Sequence, residues 1–320
     1  MTKLAFLFPG QASQYPGMGH DLAESFPESR AAFEEADAAV GRSISKLCFE
    51  GSEEELKQTQ NTQPSILTVS IAAYRAVEKR GVTPDFVAGH SLGEYSALVA
   101  VGALDFASAV KLVRDRGKYM QEAVAAGEGA MAAIMGLSPS DVAEICKKAA
   151  DHEVVSPANL NSPEQTVISG TAAAVKRAVE IASQSGAKRA VVLPVSAPFH
   201  CALMEPAQRR LEPELRAAAF SALRVPLVTN VDAEAIKSGE EARDALIRQM
   251  TLPVRWLDSM HELIESGVTI FVEVGPGKVL SGLLRQIDRS VRCFNVEDGA
   301  SMKSTLEKIT QARAEATESA

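Results

Sequence analysis

Apolar positions along the chain follow two rhythms. Short unbroken runs at residues 4–8, 85–88, 225–231 and 269–274 predict buried strands of a parallel sheet, because a strand covered on both faces needs no polar alternation. Between them, apolar residues recur at helical spacing over 21–40, 52–58, 62–80, 105–125, 240–250, 255–266 and 277–287. Ser52 ahead of Glu53, Glu54 and Glu55 is a helix start with an acidic first turn, and Pro64 falls in the first turn of the long apolar helix that Gly81 stops. From residue 129 to 195 the order changes to strand 130–136, helix 138–150, strands 154–160 and 165–169, helix 172–183 and strand 188–195, with Asn161-Ser162-Pro163 splitting the middle pair. That β-α-β-β-α-β order is the one of a ferredoxin-like unit.

Glycines flank a serine in Gly89-His90-Ser91-Leu92-Gly93, directly after the strand at 85–88 and before an apolar run through Tyr95, Leu98 and Val101. A strand-turn-helix of this kind lifts a hydroxyl above the strand ends and sets it at a helix N-terminus, where backbone N–H groups favour a developing oxyanion. Five-residue patterns of glycine and serine also arise by chance; the flanking strand and helix raise this one to a candidate nucleophile. The fold expectation is α/β: a large α/β-hydrolase-like domain with a mostly parallel sheet, residues 1–127 and 197–320, and an inserted small ferredoxin-like domain, residues 128–196. A ligand then belongs at the carboxyl ends of the large sheet's strands.

A serine nucleophile needs a base, and five histidines are available. His20 and His261 lie in polar, surface-like contexts and His152 in a hinge turn, while His90 adjoins Ser91 on a strand end and points to the opposite face. His200, in the turn Ser196-Ala197-Pro198-Phe199-His200-Cys201 before a helix with Leu203, Leu211 and Leu215, remains by elimination. Arg114, Asp115, Arg116 and Lys118 form a charge cluster on the helix at 105–125, which only Gly117 interrupts; such a cluster is ordinarily a solvated face, with Arg116 beside Gly117 a candidate for more.

Composition excludes more than it selects. The chain has 320 residues, 46% hydrophobic and 23% charged, enough for one large core and a smaller unit. A net charge of −8 without a basic run argues against nucleic acid as a partner. Cys48, Cys146, Cys201 and Cys293 have no metal-ligand spacing, so neither zinc nor a disulfide framework is expected. The first apolar run ends at Pro9-Gly10, far short of a signal-peptide core or membrane span, so a cytoplasmic protein without membrane contact is expected. Gly275-Pro276-Gly277 lacks the spacing of a phosphate loop, and no nucleotide cofactor is expected.

Seven segments in order, Gly10-Gln11-Ala12-Ser13-Gln14, Gly89-His90-Ser91-Leu92-Gly93-Glu94-Tyr95, Arg116-Gly117-Lys118 with Met120-Gln121, Asn159-Leu160-Asn161-Ser162-Pro163, Pro198-Phe199-His200-Cys201 with Leu203-Met204, Arg248-Gln249 before Pro253-Val254, and Glu273-Val274-Gly275-Pro276-Gly277, resemble the malonyl-CoA:acyl carrier protein transacylases of fatty acid synthesis. The resemblance runs from about residue 3 to about 290 and leaves out the tail 301–320, expected as a terminal helix that frays. It implies Ser91 as the nucleophile, His200 as general base, the backbone N–H groups of Gln11 and Leu92 as oxyanion hole, and Gln249 as the residue whose main-chain carbonyl orients His200. Arg116 would take the malonyl carboxylate in a two-pronged ion pair, and His90, Met120, Asn161 and Phe199 would complete the substrate pocket. Phe199 resembles the malonyl-selecting residue of polyketide acyltransferase domains, where many stand-alone transacylases carry a small residue. The implied partners are malonyl-CoA, as substrate and with no separate cofactor, and an acidic acyl carrier protein docking near Lys188, Arg189 and Arg285. A polyketide-pathway acyltransferase, a serine thioester hydrolase and a non-enzymatic carrier-binding module are the alternatives.

Overall fold

The computed structural model describes residues 2–195 and 197–318; Ser196, in the turn expected before His200, lies outside the described residues. The described strands are, in chain order, β1 (Lys3–Phe8), β2 (Phe86–Gly89), β3 (Gly129–Met135), β4 (Val155–Ser162), β5 (Gln165–Thr171), β6 (Arg189–Val192), β7 (Leu227–Val228), β8 (Ala235–Ile236), β9 (Val268–Val274) and β10 (Arg292–Val296). Six of them form a sheet in the order β10-β9-β1-β2-β7-β8, parallel except at the β7–β8 edge. The other four pair antiparallel in the order β4-β5-β3-β6, which is the ferredoxin-like arrangement the element order predicts.

Topology positions the site. The chain leaves β1 for β2 on one side and returns to pair β9 on the other. Loops after β1 and β9 therefore diverge and open a crevice at the carboxyl end of β1. Every residue of β1 beyond Lys3 is buried, and Leu4, Phe6 and Phe8 face one apolar cluster while Ala5 and Leu7 face another, the period of two that layers helices on both faces. The second sheet repeats this: Ala132 and Ile134 of β3 pack on the helices Pro139–Ala150 and Ala172–Gln184, whereas Met131 and Ala133 join the large core. The second sheet is tied to the larger unit by backbone hydrogen bonds from β4 to the segment before the helix Trp256–Glu265, Leu160 N to Val254 O at 2.9 Å and Val254 N to Ala158 O at 2.8 Å.

Several element expectations are corrected. The strand expected at 225–231 is only Leu227–Val228, because Pro226 has no N–H to give a ladder and the chain turns at Thr229–Ala233, with Ala233 at φ 57°. Gly117 does not interrupt the helix Phe106–Glu122; a Cβ there would lie 2.6 Å from Thr59 O, so glycine lets two helices touch. β8, β10 and the helix Ile44–Glu50 have no counterpart among the expected elements. β4 runs on through Asn161 and Ser162, an expected break. The terminal helix spans Gly299–Glu318 and is anchored rather than loose, because Met302, Ile309 and Ala312 are buried in the large core.

Candidate active site

Backbone strain marks the serine. Ser91 sits at φ 51°, in the left-handed region, between β2 and the helix Gly93–Ala100. A Cβ on Gly89 would lie 2.0 Å from Gly93 C, and one on Gly93 would lie 2.0 Å from Phe8 O, so the two glycines let helix, turn and β1 pack backbone to backbone. The turn is held from behind by Asn230, which follows β7: Ser91 N–H donates to Asn230 Oδ1 at 2.7 Å, and Asn230 Nδ2 donates to Gly89 O at 2.6 Å.

Ser91 Oγ lies 2.7 Å from His200 Nε2, and His200 Nδ1 lies 2.8 Å from the main-chain oxygen of Gln249. A carbonyl only accepts, so Nδ1 carries the proton and Nε2 offers its lone pair to the serine hydroxyl. Gln249 ends the helix Gly239–Gln249, where the last carbonyls have no helical partner and the dipole is negative. Burial, and after it the charge of Arg116, push the His200 imidazole down to about 3 from its ordinary value, leaving it a neutral base.

Arg116 reaches the same oxygen from the helix Phe106–Glu122. Its Nη2 donates to Ser91 Oγ at 3.1 Å and to Gln249 Oε1 at 2.9 Å, and its Nη1 donates to Gln63 Oε1 at 2.8 Å. The guanidinium is 1% exposed and lies over the Tyr95 ring, yet each of these acceptors is neutral. A buried cation held only by neutral oxygens is costly and has an open appetite for an anion. The charge cluster around Arg116 therefore divides: Arg114 and Lys118 are not buried, whereas Arg116 is turned into the core.

A cavity of about 250 Å³ opens over this group, walled below by Gln11, Ser91, Leu92, Arg116 and His200 and above by Met131, Asn159, Asn161, Gln165 and Val167 of the second sheet. His90, Met120 and Phe199 also line it; Gln249 lies beneath. The structure thus brings together every residue singled out from the sequence for the site. His90 is turned away from the hydroxyl, as expected: its Nε2 donates to Asn161 Oδ1 at 2.9 Å and its ring lies 5.4 Å from that of Trp256. The backbone N–H groups of Gln11 and Leu92 donate to no acceptor among the described residues, which leaves them for a ligand. Of the expected docking residues, Lys188 is exposed and paired with Glu164 at 2.6 Å, and Arg189 and Arg285 are exposed.

Sequence reasoning missed Gln63, Glu94 and Asn230. Gln63 steadies Arg116, Asn230 the serine turn, and Glu94 Oε2 accepts from both Asn230 N at 2.9 Å and Gln249 Nε2 at 3.0 Å. Glu94 and Asn230 are polar residues inside apolar runs, which was the available signal; Gln63 ends the polar stretch 58–63 and carries none.

This constellation at the ends of a parallel sheet, and the match of residues 5–312 to the acyl transferase domain, define an acyltransferase. A Bacillus subtilis malonyl CoA-acyl carrier protein transacylase is 47% identical over 312 residues, covering 97% of this chain and 98% of that one. The Escherichia coli K12 protein of the same name is 49% identical over 308 residues, covering 96% and 100%. A malonyl-transacylase solved in complex with a type II polyketide acyl-carrier protein superposes with a TM-score of 0.94 at 45% identity, covering 96% and 100%. The chain belongs to the family of malonyl CoA-acyl carrier protein transacylases. The domain match also corrects the expectation for the tail, most of which lies within it.

Proposed function

We propose that the protein transfers malonyl groups from malonyl-CoA to the phosphopantetheine thiol of an acyl carrier protein by a ping-pong mechanism through a malonyl-Ser91 ester. The observation that carries this reading is the shared hydroxyl: Ser91 Oγ within hydrogen-bond reach of both a neutral imidazole and a buried, anion-hungry guanidinium. His200 Nε2 takes the Ser91 proton as Oγ attacks the thioester carbonyl, and the N–H groups of Gln11 and Leu92 receive the oxyanion. As the tetrahedral intermediate collapses, the C–S bond breaks and His200 returns the proton to the CoA sulfur. The carrier thiol then gives its proton to His200 and attacks the ester, and Ser91 leaves with that proton. Arg116 holds the malonyl carboxylate throughout, close to Ser91 Oγ, with no metal or further cofactor in any step. Residues 1–127 and 197–320 act as the catalytic unit and 128–196 as the cover that limits water's access to the ester.

Names of the relatives support the donor and acceptor, and the domain match supports the transfer. The partner named for the polyketide relative favours a second reading, in which the acceptor is a polyketide carrier; rates with the two kinds of carrier, measured in competition, separate them. The mechanism is tested by incubating the enzyme with malonyl-CoA and labelled free CoA in the absence of carrier protein. Exchange of label into malonyl-CoA is expected, since an acyl-enzyme forms reversibly; no exchange, with full transfer once carrier is added, would rule the ester out.

A further inference from the structure

Glu94 is buried with 0% exposure immediately behind the serine turn, and no cation among the described residues pairs with it directly. Its two oxygens differ. Oε2 accepts from Asn230 N and Gln249 Nε2, whereas Oε1 has no hydrogen-bond partner. One side-chain amide, that of Gln249, spans the gap between this carboxylate and Arg116: its Nε2 donates to Glu94 at 3.0 Å and its Oε1 accepts from Arg116 at 2.9 Å. Glu94 is therefore the negative charge that offsets the guanidinium while no acid is bound.

A substrate carboxylate at Arg116 would put two buried anions around one cation, and like charges sharing a low-dielectric site force one of them to take a proton. Resting on the reading that Arg116 receives the malonyl carboxylate, we propose that Glu94 is a proton-exchanging positioning residue: binding of malonyl-CoA is coupled to uptake of one proton from solvent by Glu94, on the free Oε1. Oε2 keeps both of its donors, so Gln249 and Asn230 stay in place while the charge changes. Other ionisable groups around Glu94 do not compete near neutral pH. Asp232 is held as the anion by its paired bonds to Arg248, Tyr95 is pushed up to about 12 by burial, and His200 is held down to about 3 by burial and Arg116. Burial pushes the Glu94 carboxyl up to about 7, against the bonds from Asn230 and Gln249 and the charge of Arg116, so the exchange falls in the physiological range.

The test is calorimetric titration of the Ser91→Ala protein at pH 8 in buffers of different ionisation enthalpy. Uptake of close to one proton is expected with malonyl-CoA and none with acetyl-CoA, which has no acyl carboxylate; Glu94→Gln should abolish the uptake. In the native enzyme the KM for malonyl-CoA should rise about tenfold between pH 7 and 8.5 while that for acetyl-CoA stays flat, a split that a merely structural Glu94 would not produce. Should Glu94→Gln fail to fold, infrared difference spectra of Ser91→Ala must still show a new protonated-carboxyl band on binding malonyl-CoA. Malonyl-CoA binding without proton uptake at pH 8 overturns the inference. If Arg116→Ala nevertheless loses its preference for malonyl-CoA, the carboxylate reading stands and only the proton exchange falls; if Arg116→Ala keeps that preference, both fall.

Discussion

The two sheets treat polar groups in opposite ways. At the carboxyl ends of the large sheet, the side chains around Ser91 are tied to one another: Asn230 holds the turn, Gln249 holds His200 and Arg116, and Gln63 holds Arg116 again. The face that the second sheet turns to the cavity is looser, with Asn161 bonded to His90 and with Asn159, Gln165 and Met131 simply lining the space. The second sheet also carries its own apolar cluster, centred on Ala132, Ile134, Val142 and Ile168, so its fold does not lean on the site. The difference teaches a division of labour: the floor is preorganised for charge and proton movement, and the roof shapes and covers the acyl group.

Substitutions in the floor and roof should differ accordingly. The largest effect is expected from His200→Ala, which removes the only base touching Ser91 among the described residues and should lower the transfer rate by about 10³-fold or more; a loss below tenfold in steady-state transfer would dissolve the contrast. Next is Gly93→Ala. Its Cβ would lie 2.0 Å from Phe8 O, a backbone atom that cannot give way, so urea unfolding should show a loss of about 3 kcal/mol or more. Arg116→Ala should cut the preference for malonyl-CoA over acetyl-CoA about a hundredfold, read as a ratio of kcat/KM values, because a buried charge-assisted pair is lost. In the roof, Asn161→Ala removes one acceptor from His90 and should cost about tenfold or less in kcat/KM.

The smallest expected effect is on the acid side of neutral pH. An unfolded chain protonates His200 below its ordinary value near 6.5, whereas the folded protein keeps it neutral down to about 3, so this group makes folding less favourable as pH falls through that window. Catalysis has the reverse benefit: kcat/KM for malonyl-CoA should change by less than about twofold between pH 7 and 5.5, since the base stays free. An acid limb centred near 6.5 would contradict the buried-base geometry.

The same division explains what could be read from the chain. Elements with strong local signals were legible: β1, the serine turn with its two glycines, and the six-element order of the second sheet. Residues whose role depends on distant partners were not. Asn230 reaches Ser91 across 139 positions and Glu94 reaches Gln249 across 155, and no periodicity encodes such a meeting. Short edge elements failed for a different reason: β8 has two residues, Ala235 and Ile236, too few to show a period. Gly117 misled because a glycine in a helix reads as a weak point until the neighbouring helix at Thr59 is seen against it. Arg116 reads as part of a solvated charge cluster until the fold buries it, and only the family resemblance singled out its role.

Intact-protein mass spectrometry after brief exposure to malonyl-CoA without carrier protein, comparing the native chain with Ser91→Ala, tests the central claim most directly. A single malonyl adduct is predicted on the native protein and none on Ser91→Ala, with discharge of the adduct when pantetheinylated carrier protein is added. An adduct of equal yield on Ser91→Ala, or a native adduct that carrier protein does not remove, would contradict the claim.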